Sequence, residues 1–189
     1  EKPMSVTSEE AERMIAAAKE AKRQLGVAYR LHYEPMNLKV MEMFANKLFG
    51  PVRTIASSNT QDTKAPNIRL SKKLGGGPVG DVGIYSINAA RYITGEQPVE
   101  VTAIAQQPKD DPRFREVPAS VAFTLKFASG VLAHCDCSFN AGESRYYRVH
   151  CAKGTIEMDP SFSYRGLKLF TTEKGKKDEL QIDPVDQFA

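Results

Sequence analysis

The sequence predicts an α+β fold in which an open, mainly antiparallel β-sheet has one face covered by helices. Two observations carry this. From residue 99 onward, apolar and polar residues alternate in short runs (99–105, 120–128, 131–139, 145–151, 155–158 and 167–172) separated by turn signals such as Ser129-Gly130 and Lys153-Gly154. Before residue 96, apolar residues instead recur at helical spacing, and the stretch from residue 78 to 94 is apolar on nearly every side. A sheet built largely from consecutive hairpins needs one face covered, and the preceding helices are the layer available to cover it.

The elements follow in order. Thr7 and Glu10 stand at N-cap and N3 of a capping box, and Ala11, Met14, Ile15 and Ala18 carry an apolar face that continues to Leu25, with Gly26 as the expected C-cap. Residues 27–33 alternate as a strand does, with Tyr29, Leu31 and Tyr33 on one side and Arg30 and His32 on the other. A second helix is expected from Asn37, with Leu38, Met41, Phe44 and Leu48 at helical spacing until Gly50-Pro51 stops it. Residues 52–58 read as a strand, and residues 59–73 as a polar excursion of the kind that forms a lid or substrate-binding loop. A further short strand is expected at 179–182, and residues 183–189 read as the start of another element.

Composition sets wide bounds. With 189 residues, 41% apolar and 26% charged, the chain can bury a core and is ordinary for a globular protein. Its net charge of +3 comes from 26 basic and 23 acidic residues spread along the chain. There is no basic block with interleaved aromatics, so no nucleic-acid partner is expected, and hydrophobic runs are too short to cross a bilayer. Three cysteines do not make a disulfide framework and favour a reducing, cytoplasmic compartment. Cys135 and Cys137 share one side of a strand, but that side is apolar, so they read as core residues and no metal site is expected.

The chemistry concentrates after Gly75-Gly76-Gly77, a loop without a phosphate-binding fingerprint. In the helix that follows, Asp81, Tyr85, Asn88 and Tyr92 fall on one narrow stripe of an otherwise apolar surface. Asp81 can be a first-turn carboxylate favoured by the helix dipole, and the tyrosines amphipathic core residues. The alternative is that an acid and a phenol one turn apart, just past a glycine loop, form the wall of a substrate pocket.

Four stretches carry a family resemblance: EKP at 1–3, YRLHYEP at 29–35, GGGPVGDVGIYSINAARYITGEQP at 75–98 and DQFA at 186–189. Together they resemble the Gfo/Idh/MocA oxidoreductases, and among them the glucose-fructose oxidoreductase branch. The resemblance implies an N-terminal Rossmann domain that binds NAD or NADP, followed by an α/β domain with a large open sheet. Residues 1–34 would then be the C-terminal remnant of the dinucleotide-binding domain, with a residual βα edge, and residues 35–189 the substrate-binding and oligomerisation domain, lacking its last piece. It implies an NAD(P)-dependent oxidoreductase that transfers a hydride to or from a sugar or polyol, with this fragment inactive alone and holding no cofactor.

Lys2 would be catalytic and lie beside the nicotinamide, with Pro3 and Arg30 on the cofactor side. Asp81, Tyr85 and His32 would face the substrate. Tyr85 stands where many relatives have histidine and is the expected acid/base, and a neighbouring Lys2 ammonium would favour its phenolate form. Asp81 would either accept a substrate hydroxyl or orient the lysine. The resemblance further implies a homodimer or higher homo-oligomer through the open sheet face, which the alternation places around Tyr146, Arg148 and His150. Two other functions fit the same scaffold: a non-enzymatic dimerisation or partner-binding domain, and a nicotinamide-assisted hydrolase or lyase.

Overall fold

The structure, a computed structural model, describes residues 2–186. The glutamate of the EKP stretch and the last three residues of DQFA lie outside the described residues. Among the described residues, eight strands form one sheet in the order β2-β3-β4-β1-β5-β6-β7-β8. They are β1 (Val52–Asp62), β2 (Pro98–Gln106), β3 (Ser120–Phe127), β4 (Leu132–Ser138), β5 (Asn140–Cys151), β6 (Gly154–Met158), β7 (Leu169–Glu173) and β8 (Lys176–Leu180). Every neighbouring pair is antiparallel except β1 and β4, which run parallel. The hairpins expected from the alternation are present, but β1 enters between β4 and β5 and makes the sheet mixed.

Alternation sets the two faces. Ile55, Ala133, Cys135, Val149 and Ile156 point to one face, where they are buried. Helices α2 (Pro35–Ala45) and α3 (Ile84–Thr94) cover this face, contributing Val40, Met43, Ala89, Ala90 and Ile93 to the core. Small residues let α3 approach closely: Ala89 and Ala90 are fully buried, and Ser86 Oγ lies 2.7 Å from Ser57 Oγ of β1. A Cβ at Gly83 would already touch Cys137 Sγ at 3.0 Å. The two β4 thiols therefore belong to the core, and burial pushes both up to about 12. On the opposite face Lys126, Leu132, His134, Arg148 and His150 are exposed, so Arg148 and His150 do lie on the uncovered side with Tyr146.

Several local expectations are corrected. Residues 27–33 do not form a strand: residues 27–29 carry no regular structure and Arg30–Tyr33 close a 3-10 turn. An extended segment needs a neighbour for its backbone groups. Here the His32 amide instead donates to the Tyr29 carbonyl at 3.1 Å and Leu31 drops into the core, 1% exposed.

Helix α1 (Ser8–Glu20) has the expected capping box but ends at Ala21, because Lys22, not Gly26, takes the left-handed conformation (φ 51°). It buries no residue, and Met14 and Ile15 are exposed. Helix α2 is capped by Glu34, whose carboxylate accepts the Asn37 amide at 3.0 Å, and Pro35 fills the first helical position that proline suits.

Strand β1 runs on to Asp62 because the polar residues at its end are buried with partners, Thr60 Oγ1 bonding the Gly142 carbonyl at 2.5 Å. Strand β8 starts earlier than expected, directly after Lys174 and Gly175, whose positive φ values (50° and 82°) suit a two-residue hairpin. Described residues 183–186 form no helix or strand.

Candidate active site

The glycine stretch and Pro78 lead into one wide π-turn, Val79–Gly83, before α3 begins. Such turns interrupt the i→i+4 ladder and are frequent at functional sites. Here the interruption is used. The Asp81 carbonyl accepts Lys2 Nζ, and the Val82 carbonyl accepts Asn59 Nδ2 of β1 at 3.0 Å.

The Asp81 carboxylate is shared between two cations. Lys2 Nζ lies 3.0 Å from Oδ1 and Arg69 Nε lies 2.5 Å from Oδ2. Lys2 Nζ also sits over the Tyr85 ring, 4.7 Å from its centroid, on the face of the ring. The lysine and the aspartate are both largely shielded, with side chains 16% and 22% exposed. Asp81 is thus in direct contact with the lysine.

Tyr85 is wedged between aromatic neighbours, 5.4 Å from the Tyr29 ring and 5.7 Å from Phe162. Arg30 stacks on Tyr164 at 4.0 Å and donates from Nη1 and Nη2 to the carbonyls of Ser163 and Phe162 at 3.1 and 2.6 Å. Burial, then the nearby Tyr92, hold the Tyr29 phenol well above the ordinary tyrosine range despite a hydrogen bond from Asn88. Tyr29 is therefore a neutral wall.

These groups line a cleft of roughly 630 Å³. Lys2, Arg30, Asp81 and Tyr85 are all on its wall, so the structure brings together four of the sequence-predicted residues. Pro3 is exposed and does not line the cleft, and His32 packs edge-on against Tyr33 and Tyr92 behind it. The lower stripe of α3 points inward as well: Tyr92 Oη donates to Asn37 Oδ1 at 3.0 Å, so this end of the stripe is core polar packing.

Sequence reasoning missed Asn59, Gln61, Arg69 and Arg145, which also line the cleft. Asn59 and Gln61 looked like loop residues because β1 ends in polar side chains. Arg145 sits directly opposite Asn59 in the ladder, a register that sequence alone does not give. Arg69 lies in the polar excursion marked as a binding loop, without having been singled out. Among the described residues no cluster of three or more His, Cys, Asp or Glu could hold a metal ion, and no helix is long and apolar enough to cross a membrane.

Comparison with known proteins agrees with this architecture. The chain is 30% identical over its whole length to a D-xylose 1-dehydrogenase [NADP(+)] of Haloarcula marismortui, covering 54% of that protein. It is 28% identical to an inositol 2-dehydrogenase of Rhizobium meliloti, a match that takes in 84% of this chain and 48% of the relative. The crystal structure of aldose-aldose oxidoreductase from Caulobacter crescentus, complexed with glycerol, superposes with a TM-score of 0.94 at 38% identity over 99% of this chain and 57% of that one. The chain thus spans about half the length of the curated relatives it matches. Residues 37–157 match the profile of the GFO/IDH/MocA C-terminal domain, and the chain belongs to that family.

Proposed function

We propose that the protein containing this chain is an NADP- or NAD-dependent oxidoreductase acting on a hydroxyl or carbonyl of a sugar or polyol, with this chain forming the substrate side of the active site. The observation that carries the reading is the Lys2–Asp81–Tyr85 cluster on the wall of an open cleft. The sugar-oxidoreductase names of the relatives support it, and the NADP in the name of the xylose dehydrogenase favours NADP.

The residues present fit one end of a dinucleotide. Flat faces of Tyr29, Tyr85 and Phe162 lie beside the cations Lys2 and Arg30, a lining that suits an aromatic ring next to an oxygen that gains negative charge. Lys2 and Arg30 would hold that end, with Pro3 on the approach. When bound, the nicotinamide supplies hydride transfer. Tyr85 donates its phenolic proton to the carbonyl oxygen in the reducing direction and, as the phenolate, takes the proton of the hydroxyl in the oxidising one. Lys2 stabilises the charge that develops on that oxygen. Asp81 fixes the ammonium, and Tyr29 and Phe162 pack about the Tyr85 ring to hold it in place.

The uncovered sheet face is the proposed homodimer contact. It mixes Leu132 and Tyr146 with His134, Arg148 and His150, a composition more typical of an interface than of a core. The direct test of function is to mix the intact protein with NADP+ or NAD+ and a panel of aldoses and inositols and follow reduced nicotinamide. Net reduction with at least one sugar is expected. A protein that binds nucleotide yet only cleaves or hydrates the sugar would replace this reading with a nicotinamide-assisted lyase or hydrolase.

A further inference from the structure

The segment between β1 and the π-turn is folded to deliver one guanidinium to the site. Two short 3-10 turns, Ile68–Leu70 and Lys72–Leu74, are tied back by the glycine stretch: the Gly77 amide donates to the Arg69 carbonyl and the Gly76 amide to the Ser71 carbonyl, both at 2.9 Å. A Cβ at Gly76 would lie 2.4 Å from the Arg69 carbonyl oxygen, so only glycine closes this loop. The Arg69 amide itself donates to Asn67 Oδ1 at 3.0 Å. From the segment before β3, Glu116 Oε2 accepts Ser71 Oγ at 3.1 Å and the Lys72 amide at 3.0 Å.

Arg69 is placed by this loop with Nε on Asp81 Oδ2. Its terminal nitrogens make no hydrogen bond to protein among the described residues, and the side chain is 43% exposed on the cleft wall. A guanidinium presents its donors as a planar fork that matches two acceptor oxygens side by side, which an ammonium does not.

We infer that Arg69 is a substrate-binding, specificity-determining residue: Nε fixes Asp81 while the terminal nitrogens bond a pair of substrate oxygens, either a vicinal diol or a carboxylate of the sugar. Glu116 is a positioning residue that acts through Ser71 and Lys72. This rests on the oxidoreductase reading above. It makes the 67–77 loop a second determinant of which sugar is accepted, joined through Asp81 to the Lys2–Tyr85 pair.

The test is steady-state kinetics of the intact protein with NADP+, comparing wild type, Arg69→Ala, Arg69→Lys and Glu116→Gln. Arg69→Ala should raise the sugar KM about 10- to 100-fold, as expected for lost charge-assisted hydrogen bonds, and leave the KM for NADP+ unchanged. Arg69→Lys should recover little of this. Millimolar guanidinium chloride should partly restore the sugar KM of Arg69→Ala and not alter wild type. Glu116→Gln should show a smaller rise in sugar KM together with faster amide exchange at Gly76 and Gly77, a readout that needs no turnover.

Inhibition by the corresponding aldonate separates the two oxygen pairs: a carboxylate site loses aldonate binding in Arg69→Ala, and a diol site loses the aldose alone. An unchanged sugar KM in Arg69→Ala, with wild type active, overturns the assignment of Arg69 and leaves the function standing. A wild type that reduces no nicotinamide with any sugar overturns the function and the assignment together.

Discussion

Lys2 and Asp81 are 79 residues apart in the chain and meet at 3.0 Å, with the lysine ammonium also resting on the face of Tyr85. One carboxylate is therefore spent on two cations, since Arg69 takes its other oxygen. An acceptor committed in this way is poorly placed to serve as the general base, which supports the proposed assignment of proton transfer to Tyr85 and charge stabilisation to Lys2. On the proposed reading, holding the ammonium in place is what Asp81 contributes to the reaction.

If the two residues act as a unit, their losses do not add. Lys2→Ala and Asp81→Asn should each lower kcat/KM by about 10²- to 10⁴-fold, and the double variant should be little worse than the more damaging single one. A double-mutant cycle on the intact protein measures this, with a coupling close to the smaller single loss, about 2.7 kcal/mol or more, expected. Strictly additive losses would separate the two roles.

The closure of the 67–77 loop depends on Gly76. Gly76→Ala should displace the Arg69 carbonyl and carry the side chain away from Asp81, raising the sugar KM and costing roughly 1–3 kcal/mol of stability, in the usual range for a forced backbone shift. Thermal unfolding and kinetics on the same preparation check both. Wild-type values for each would mean that the loop tolerates the added methyl.

On the uncovered face, Glu157 bonds Arg148 at 2.6 Å and Lys177 at 2.9 Å. Burial pushes its carboxyl up, but the two cation hydrogen bonds outweigh burial and leave it below the ordinary range. A depressed folded-state value stabilises the fold above the unfolded value of about 4.3, and that contribution is lost as pH falls through the folded value. Glu157→Gln should therefore lower Tm at pH 7 and converge with wild type in acid. A Tm difference that stays constant from pH 7 to pH 3 would contradict this.

The same face is the proposed dimer contact. Leu132→Glu or His134→Glu, both at exposed positions, should shift the protein toward monomer in sedimentation equilibrium at tens of micromolar. Association unchanged by either substitution would place the contact elsewhere, the exposed edge strand β2 being the first alternative.

Much of this was legible in sequence where local physics decides. The Thr7–Glu10 capping box, the alternation from residue 99 onward and the Asp81–Tyr85 stripe each announce themselves within one turn or one strand. What was not legible depends on partners distant in sequence. Residues 27–33 alternate like a strand but find no ladder partner, so burial of Leu31 decides their shape. Asn59 and Thr60 look like loop residues, yet the Val82 and Gly142 carbonyls satisfy them inside the sheet. Within the 59–73 polar excursion nothing local singles out Arg69, because its placement comes from the Gly76 backbone approach and from Glu116, 45 residues beyond Ser71.

The proposed proton transfer turns on Tyr85. In the intact protein, Tyr85→Phe keeps the ring that Lys2, Tyr29 and Phe162 pack against and removes only the hydroxyl. Single-turnover measurement of nicotinamide reduction should fall by about 10²- to 10⁴-fold, with nucleotide affinity unchanged and the fold intact. A Tyr85→Phe protein that transfers hydride at the wild-type rate would contradict the account, leaving Tyr85 as packing and moving the proton-transfer role to another group in the cleft.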